Sequence, residues 1–375
     1  MRALTALLLA LVLAACTQQA AAPLNAPTFI AEGNPPLLSD WGMVQASQQR
    51  LVLGEGVTPY DLNTPLFTDY AQKLRTIWMP AGQSAAYDAG DVFDFPVGTV
   101  ITKTFFYQRG AGERVLQNAD QDRIHDATGQ IDLRRVRLVE TRVLVRREAG
   151  WVALTYVWNE EQTEAPLQRT GAVLPLELVR DGGEVEPFQY VVPNVTQCAA
   201  CHAPNVATRE IQPIGPKARH LNRDYVYDGV TRNQLEHLAS LGYLRGLESA
   251  ESAPRNAVWT DASASLEARA RAYLDANCSH CHNRDGPADT SGLYLDPDTP
   301  ISGNFGVCKL PVAAGSGTGN RRFDIVPGDP DASVMPYRMA STDPAVMMPE
   351  IGRSTAHSEG VELVRQWIAS QTGSC

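Results

Sequence analysis

Two copies of one five-residue pattern, Cys-x-x-Cys-His, constrain this chain more than any other feature of its sequence. At helical pitch, positions i, i+3 and i+4 of the pattern share one face. Two thiols on that face can form thioethers with the two vinyl groups of one haem, and the histidine reaches the iron from the same side. The sequence therefore predicts two covalently attached c-type haems, with His202 and His282 as proximal iron ligands. The two copies are Cys198-Ala199-Ala200-Cys201-His202 and Cys278-Ser279-His280-Cys281-His282.

Other uses of paired cysteines explain the pattern less well. A thioredoxin-like redox pair needs one Cys-x-x-Cys and has no use for a following histidine. A structural zinc site can use four cysteines, but the gap from Cys201 to Cys278 far exceeds the usual spacing between ligand pairs. Haem attachment is therefore the prediction for both copies.

The N-terminus has the pattern of an export signal. Arg2 precedes an unbroken apolar stretch over residues 6–15, which is too short to span a bilayer. The sequence Leu13-Ala14-Ala15-Cys16 resembles the lipobox of bacterial lipoproteins. The resemblance implies a signal peptide at 1–15, a lipid on Cys16, and, because Thr17 follows, transport to the outer membrane, facing the periplasm or the cell surface. Residues 16–40 have a composition typical of a tether.

The remaining cysteines and the charge narrow the class of protein further. Of seven cysteines, one is assigned to the lipid and four to haem, which leaves Cys308 and Cys375. In an exported protein two such thiols are expected to pair, so we hypothesise a Cys308–Cys375 disulfide. The formal net charge of −10 argues against a nucleic-acid partner and is compatible with docking to a basic patch on a redox partner.

Residues 41–192 have the pattern of an antiparallel β domain. The run over residues 99–106 is rich in β-branched and aromatic side chains. Residues 136–146 and 151–158 alternate around the short turn Glu148-Ala149-Gly150, which predicts a hairpin. We expect a sandwich or barrel-like domain. It contains no metal-ligand cluster, nucleophile elbow or phosphate loop, so no catalytic residue is predicted there.

Beyond residue 192 the pattern becomes helical. Thr231 and Gln234 fit a capping box, and Ser265 can cap a helix that delivers Cys278. An amphipathic helix is indicated near the C-terminus by Val361, Val364, Trp367 and Ile368. We therefore expect a C-terminal all-α haem region, with the first haem in 193–260 and the second in 261–375.

The second haem segment resembles the small monohaem cytochrome c domain. The shared features are a helix that runs into Cys-x-x-Cys-His, a Pro- and Gly-rich middle, a Met-Pro dipeptide and a closing helix with an aromatic residue. The resemblance implies Met348 as the second axial ligand, with Met347, Met339 and Met335 as competitors. The first haem has no local methionine, so its distal ligand is His220, His237 or none.

The chain as a whole resembles a largely uncharacterised bacterial family of exported di-haem cytochromes with an N-terminal β domain. Relatives of this module are found alone or joined to quinoprotein-type sugar dehydrogenase domains, which implies electron acceptance from a dehydrogenase. The matching segments are Leu62-Asn63-Thr64-Pro65-Leu66-Phe67-Thr68-Asp69-Tyr70-Ala71, Phe95-Pro96-Val97-Gly98-Thr99, Val157-Trp158-Asn159, Gly215-Pro216-Lys217, Asn233-Gln234-Leu235 and Pro327-Gly328-Asp329-Pro330.

Three functions follow as hypotheses. The first is electron transfer from a periplasmic dehydrogenase to a cytochrome or oxidase, with two haem irons as carriers. The second is a peroxidase-like redox enzyme with an open first haem, for which the sequence indicates no acid–base pair. The third is a sensor or structural lipoprotein whose β domain binds a polysaccharide or a protein.

Overall fold

The computed structural model of the chain describes residues 24, 26–117, 129–312 and 314–375. The predicted signal peptide at 1–15, the lipid-bearing Cys16 and most of the tether lie outside the described residues. Within the described ranges, no helix combines the length and the apolar character needed to cross a bilayer.

The N-terminal part is built from strands that follow the alternating sequence pattern. A 3-10 helix over Leu38–Trp41 precedes them. The strands are β1 (Val44–Ser47), β2 (Arg50–Leu53), β3 (Thr58–Tyr60), β4 (Gln72–Trp78), β5 (Ala85–Ala86), β6 (Val100–Arg109), β7 (Val115–Leu116), β8 (Ile131–Asp132), β9 (Val136–Arg147), β10 (Gly150–Val157), β11 (Ala172–Val179) and β12 (Val185–Val192).

Most of these strands form one large sheet with the order β10-β9-β6-β7-β11-β12, in which β4 also pairs with β6 and β3 pairs with β4. Strands β9 and β10 form the predicted hairpin, with Gly150 opposite Arg147. A second sheet, β1-β2-β8, shares an apolar core with the large one. In that core the Trp41 indole donates to the Tyr156 hydroxyl at 2.8 Å, so this buried aromatic pair also satisfies its polar atoms.

The second half of the chain combines short helices with small strands and long loops. Its helices are α1 (Val195–His202), α2 (Ala218–Leu221), α3 (Gln234–Ser240), α4 (Leu266–Leu274), α5 (Val334–Ala340) and α6 (Ser358–Ser370). Its strands are β13 (Asp224–Tyr227), β14 (Val230–Asn233) and β15 (Leu244–Arg245). Short 3-10 turns lie at Asp289–Ser291, Gly303–Phe305 and Gly315–Thr318.

The prediction of a C-terminal all-α cytochrome c-like region is wrong. Sheet outweighs helix in the described chain, and the longest helix, α6, has 13 residues. Strands β13 and β14 form a hairpin over Asp228-Gly229, where both residues have positive φ angles, and β15 pairs with β5 of the N-terminal part. An Asp-Gly pair is a strong signal for a two-residue hairpin turn. The predicted capping box at Thr231 is therefore wrong, because Thr231 lies in β14 and the Asn233 side chain caps α3 instead.

Three local predictions in this half are confirmed. The Ser265 side chain accepts a hydrogen bond from the amide of Ala268 and caps α4. Helix α6 buries its apolar face, including Val364 and Trp367. The disulfide between Cys308 and Cys375 is present, with 5.3 Å between the Cα atoms. It ties the chain end after α6 to a loop that lies 67 residues earlier.

One segment, residues 62–71, joins the β part to several parts of the second half. It forms hydrogen bonds with residues on both sides of α4, with a residue just before α6 and with α6 itself. These bonds include Asn63 Nδ2 to Arg219 O (3.0 Å), Thr64 Oγ1 to Ala257 O (2.9 Å), Phe67 N to Asn277 Oδ1 (2.7 Å), Thr355 N to Asp69 Oδ1 (2.8 Å) and Tyr70 OH to Glu359 Oε2 (2.7 Å). The segment therefore holds the β part and the second half of the chain together.

Candidate functional site

A large cavity lies where the sheet meets the second half of the chain. Its volume is about 810 Å³, in the range of pockets that hold small molecules and cofactors. Strands β4, β6, β9 and β10 supply one wall, and the loop after α5 supplies another. All six residues predicted to attach haem line this cavity: Cys198, Cys201, His202, Cys278, Cys281 and His282.

The first motif lies on a capped helix against the sheet. Asn194 and Gln197 form a reciprocal capping box at the start of α1, with bonds of 2.9 and 3.0 Å. The helix packs on β10 and ends at His202, whose Nδ1 lies 2.8 Å from the carbonyl oxygen of Gln212. A carbonyl can only accept, so Nδ1 carries the proton and Nε2 is free to bind a metal. Burial lowers the pKa of His202 to about 4, which keeps the ring neutral.

The second motif follows a break in helix geometry. After α4 the chain makes a π-helical turn over Asp275–Ser279, a geometry that recurs at functional sites. Burial raises the pKa of the Cys278 thiol to about 12. His282 lies with Nδ1 3.4 Å from the Ser291 hydroxyl, and burial lowers its pKa to about 4. Like His202, this ring is neutral at neutral pH and able to bind a metal.

The two motifs touch each other. The Cys281 sulfur lies 3.8 Å from the carbonyl oxygen of Ala200, and the amide of Val206 donates to the carbonyl oxygen of Asp285 at 2.8 Å. A hydrogen bond with Cys281 lowers the pKa of the Cys201 thiol below its usual range. All four motif cysteines are free thiols. Groups attached to the two motifs therefore share one enclosure.

All four methionines named as candidate ligands line the cavity, but they differ in their packing. Met335 and Met339 lie on α5 and belong to the apolar cluster around Trp367, so they have a packing role. Met347 and Met348 lie in the loop after α5 and are not members of that cluster. The structure thus separates the two loop methionines from the two core methionines.

The buried Arg353 holds in place the loop that carries Met347 and Met348, here called the methionine loop. The guanidinium of Arg353 donates to the carbonyl oxygens of Ser341 at 2.8 Å, Met348 at 2.9 Å and Thr355 at 3.0 Å. Only 6% of Arg353 is exposed. Charge-assisted bonds of this kind fix a loop more firmly than neutral ones. Nothing in the sequence around Arg353 indicates that its side chain is buried.

The two histidines considered for the first haem occupy different places. His220 lines the cavity and is buried, with Nε2 3.6 Å from a carboxylate oxygen of Asp275. His237 stacks on Tyr227, with 3.5 Å between the ring centroids, and is not among the described residues that line the cavity. Of the two, only His220 is placed to face a ligand in this enclosure.

Asp275 anchors His220 in a buried polar network. Its carboxylate accepts from Arg219 at 2.8 and 3.0 Å and from Asn256 at 2.7 Å. Despite burial, hydrogen bonds from Arg219 and Asn256 and the charge of Arg219 hold the pKa of Asp275 well below its usual range. Burial lowers the pKa of His220 to about 4. At neutral pH the network thus contains an ionised aspartate beside a neutral histidine.

Sequence reasoning missed two further histidines of the cavity. His280 lies inside the second motif, and its Nδ1 is buried without a hydrogen-bond partner among the described residues. His357 precedes α6, stacks on Phe67 at 4.3 Å and has Nδ1 2.9 Å from the Tyr273 hydroxyl. Only its position just ahead of the closing amphipathic helix hinted that His357 would be buried.

Comparison with protein-family models, with curated proteins and with solved structures gave no match. Within the described residues no group of three or more His, Cys, Asp or Glu side chains is arranged to hold a metal ion. A haem iron takes one or two protein ligands, so that finding concerns other kinds of metal centre.

The residues of the cavity fit two c-type haems. Each motif offers two thiols and one neutral histidine, and the walls add apolar side chains such as Leu144 and Leu293. The Nδ1 of His202 is held by a backbone carbonyl, as in many metal-binding histidines. The donor set and the apolar lining thus match the needs of a macrocycle that is bound covalently and shielded from water.

Proposed function

We propose that this chain is an extracytoplasmic electron carrier with two covalently attached c-type haems. The observation that carries the proposal is that both Cys-x-x-Cys-His motifs face one cavity and contact each other there. A protein that passes electrons between two centres must hold them close together. The family resemblance, the predicted export signal and the lipid on Cys16 agree with this function but are themselves predictions.

A haem supplies an iron that takes up and releases one electron at a time. The chain's own groups hold and shield it. His202 and His282 provide neutral imidazoles, and the carbonyl of Gln212 orients the first of them. Met348 is the proposed second ligand at the C-terminal motif and His220 at the N-terminal motif. His/Met ligation favours a higher potential than bis-His ligation, so electrons would pass from the first motif to the second.

The proposed partners are a periplasmic dehydrogenase as donor and a cytochrome or oxidase as acceptor. The acidic net charge of −10 favours partners with a basic docking patch. Attachment to the outer membrane through Cys16 would keep the carrier at the envelope, facing the periplasm or the cell surface.

The deciding experiment counts the haems. The full chain is expressed with a haem-maturation system, and intact mass is combined with a pyridine haemochrome spectrum. We expect two covalent haems in the wild type and one each in Cys198→Ala/Cys201→Ala and Cys278→Ala/Cys281→Ala. A wild type without covalent haem contradicts the proposal. Potentiometry then tests the proposed direction of electron transfer from the first motif to the second. Two equal haem potentials would contradict that direction.

A haem-dependent redox enzyme is the second candidate, and the His220–Asp275 pair favours it. A buried neutral histidine oriented by a carboxylate is a suitable general base or acid when it does not bind the iron. The response of the ferric protein to cyanide separates the candidates. An electron carrier with two six-coordinate haems gives no spectral shift, whereas an open haem gives a high-spin band that shifts on ligand addition.

A further inference from the structure

A row of three cations crosses the sheet wall of the cavity. Arg75 on β4 lies opposite Lys103 on β6, and Lys103 lies opposite Arg142 on β9. All three side chains line the cavity. Like charges directly opposite each other on neighbouring strands destabilise a sheet. Such a row inside a protein with a net charge of −10 indicates a site for a negatively charged group.

The two outer cations already have carboxylate partners. Arg142 pairs with the fully buried Glu140 at 2.6 Å, and Arg75 pairs with Asp61 at 2.9 Å. Glu140 also accepts from the Tyr190 hydroxyl at 2.7 Å. These acids are engaged by their own arginines, so the charge that stays uncompensated in the row belongs to Lys103.

Lys103 faces the cavity without an acid beside it. Among the described residues no carboxylate lies within ion-pair distance of its ammonium group, which sits 5.1 Å from the centre of the Phe105 ring. Burial lowers the pKa of Lys103 well below its usual range, and the charges of Arg142, Arg75 and Lys73 lower it further, with Glu140 opposing them. An anion in the cavity would stabilise the charged ammonium and oppose this lowering of its pKa.

We propose that Lys103, flanked by Arg75 and Arg142, binds a propionate carboxylate of a haem held in this cavity. The inference rests on the proposed function. A haem brings two carboxylates into an otherwise apolar enclosure, and a buried carboxylate requires a cation or several hydrogen bonds. The three side chains form the cationic part of the cavity wall, and the β part supplies all of them. This assigns a role to that part, which carries no haem-attachment motif of its own.

The test compares haem potentials in two matched variants of the holoprotein. Lys103→Met removes the proposed propionate partner. Lys73→Met removes a positive charge from the same sheet at a residue outside the cavity lining. We expect Lys103→Met to lower one haem potential at alkaline pH and to make it fall with rising pH as the freed propionate ionises. Lys73→Met is expected to leave that potential nearly unchanged, and Lys103→Arg to restore it. Equal shifts in the two methionine variants would overturn the proposal.

A diffusible carboxylate is the rival source of the same chemistry. Acetate is titrated into the wild type and into Lys103→Met. We expect no saturable change in the haem spectrum of either protein. A saturable change in the wild type that is lost in the variant would assign the row to a free anion and overturn the propionate assignment.

Two further measurements keep the outcome interpretable. Haem counting on each protein comes first, and a wild type without haem rejects the proposed function rather than this inference. If Lys103→Met does not fold, infrared difference spectra of the wild type are measured instead. The propionates are labelled by supplying δ-aminolaevulinate that carries carbon-13 in its carboxyl group. We expect a propionate that stays ionised well below the usual pH range for a carboxyl. Ordinary titration of both propionates would overturn the inference.

Discussion

At the scale of single residues, the proposed function depends on buried side chains that have an atom available to bind a haem iron. His202 and His282 reach it by local spacing, because three motif positions share one helical face. Met348 and His220 reach it only through the path of the chain. Their proposed roles as second ligands can therefore be tested one residue at a time.

Replacing Met348 separates the two loop methionines. We expect Met348→Ala to abolish the charge-transfer band of a Met-ligated ferric haem and to lower the potential by a fraction of the roughly 0.8 V that axial ligands span. Met347→Ala is the matched control and should retain the band. Loss of the band in Met347→Ala with retention in Met348→Ala would exchange the two assignments.

His357 is expected to make stability depend on pH. Burial lowers its pKa from 6.5 to about 4, so below pH 6.5 the unfolded chain binds a proton that the folded chain does not. The free energy of unfolding should therefore fall as the pH drops from 6.5 towards 4. One fully buried histidine contributes at most about 3 kcal/mol to that fall.

Urea unfolding across this range, with wild type and His357→Gln, measures the contribution. The variant should show a shallower loss of stability on acidification. His237→Gln replaces a more exposed histidine and should change the slope less. A His357→Gln slope equal to that of the wild type would show that this ring does not resist protonation.

At the scale of elements, the site depends on loops held by buried polar groups. The methionine loop is joined to the end of α5 through Arg353, and residues 354–355 are joined to the β part through Asp69. Charge-assisted hydrogen bonds thus connect segments that have no regular structure of their own. The failure of the all-α prediction has the same origin, since bonds from distant residues replace helix ladders here.

Arg353 should therefore contribute both to stability and to methionine ligation. Arg353→Ala leaves several buried carbonyls without their donor, and we expect the free energy of unfolding to fall by roughly 2–3 kcal/mol. The Met-ligation band should weaken as well, which loss of stability alone would not cause. Arg365→Ala removes an exposed pair with Asp331 and should change either property little. An intact band in Arg353→Ala would refute the bracing role.

At the scale of the whole molecule, the large sheet and the second half of the chain form two sides of one enclosure. Segment 62–71 bonds to both sides, and β15 of the second half adds to β5 of the first. The cavity therefore exists only when both halves are folded together. Removing residues up to 192 would take away the sheet wall together with its row of cations.

The Cys308–Cys375 disulfide links the residues after α6 to the loop that contains Cys308. Its loop of 67 residues includes the methionine loop and α6. We expect Cys308→Ser/Cys375→Ser to lower the free energy of unfolding by about 2–4 kcal/mol. Wild type treated with a thiol reductant is the matched comparison, because thioethers to haem resist reduction. Unchanged stability in both would contradict a stabilising role.

Features that depend on neighbours along the chain could be predicted from the sequence alone. The two haem-attachment patterns, the β9–β10 hairpin and the Ser265 cap each involve residues a few positions apart. The pairing of Cys308 with Cys375 followed from counting, since the predicted lipid and haem attachment sites leave only these two cysteines.

The other features that join distant residues depend on the tertiary structure. It placed His220 in the cavity and His237 outside it, set Arg353 under the methionine loop, and aligned Arg75, Lys103 and Arg142 across three strands. It also replaced the expected all-α region with short helices, hairpins and loops. The physical reason is that burial and cross-strand register are properties of packing between segments, and a local pattern of residue types carries little information about either.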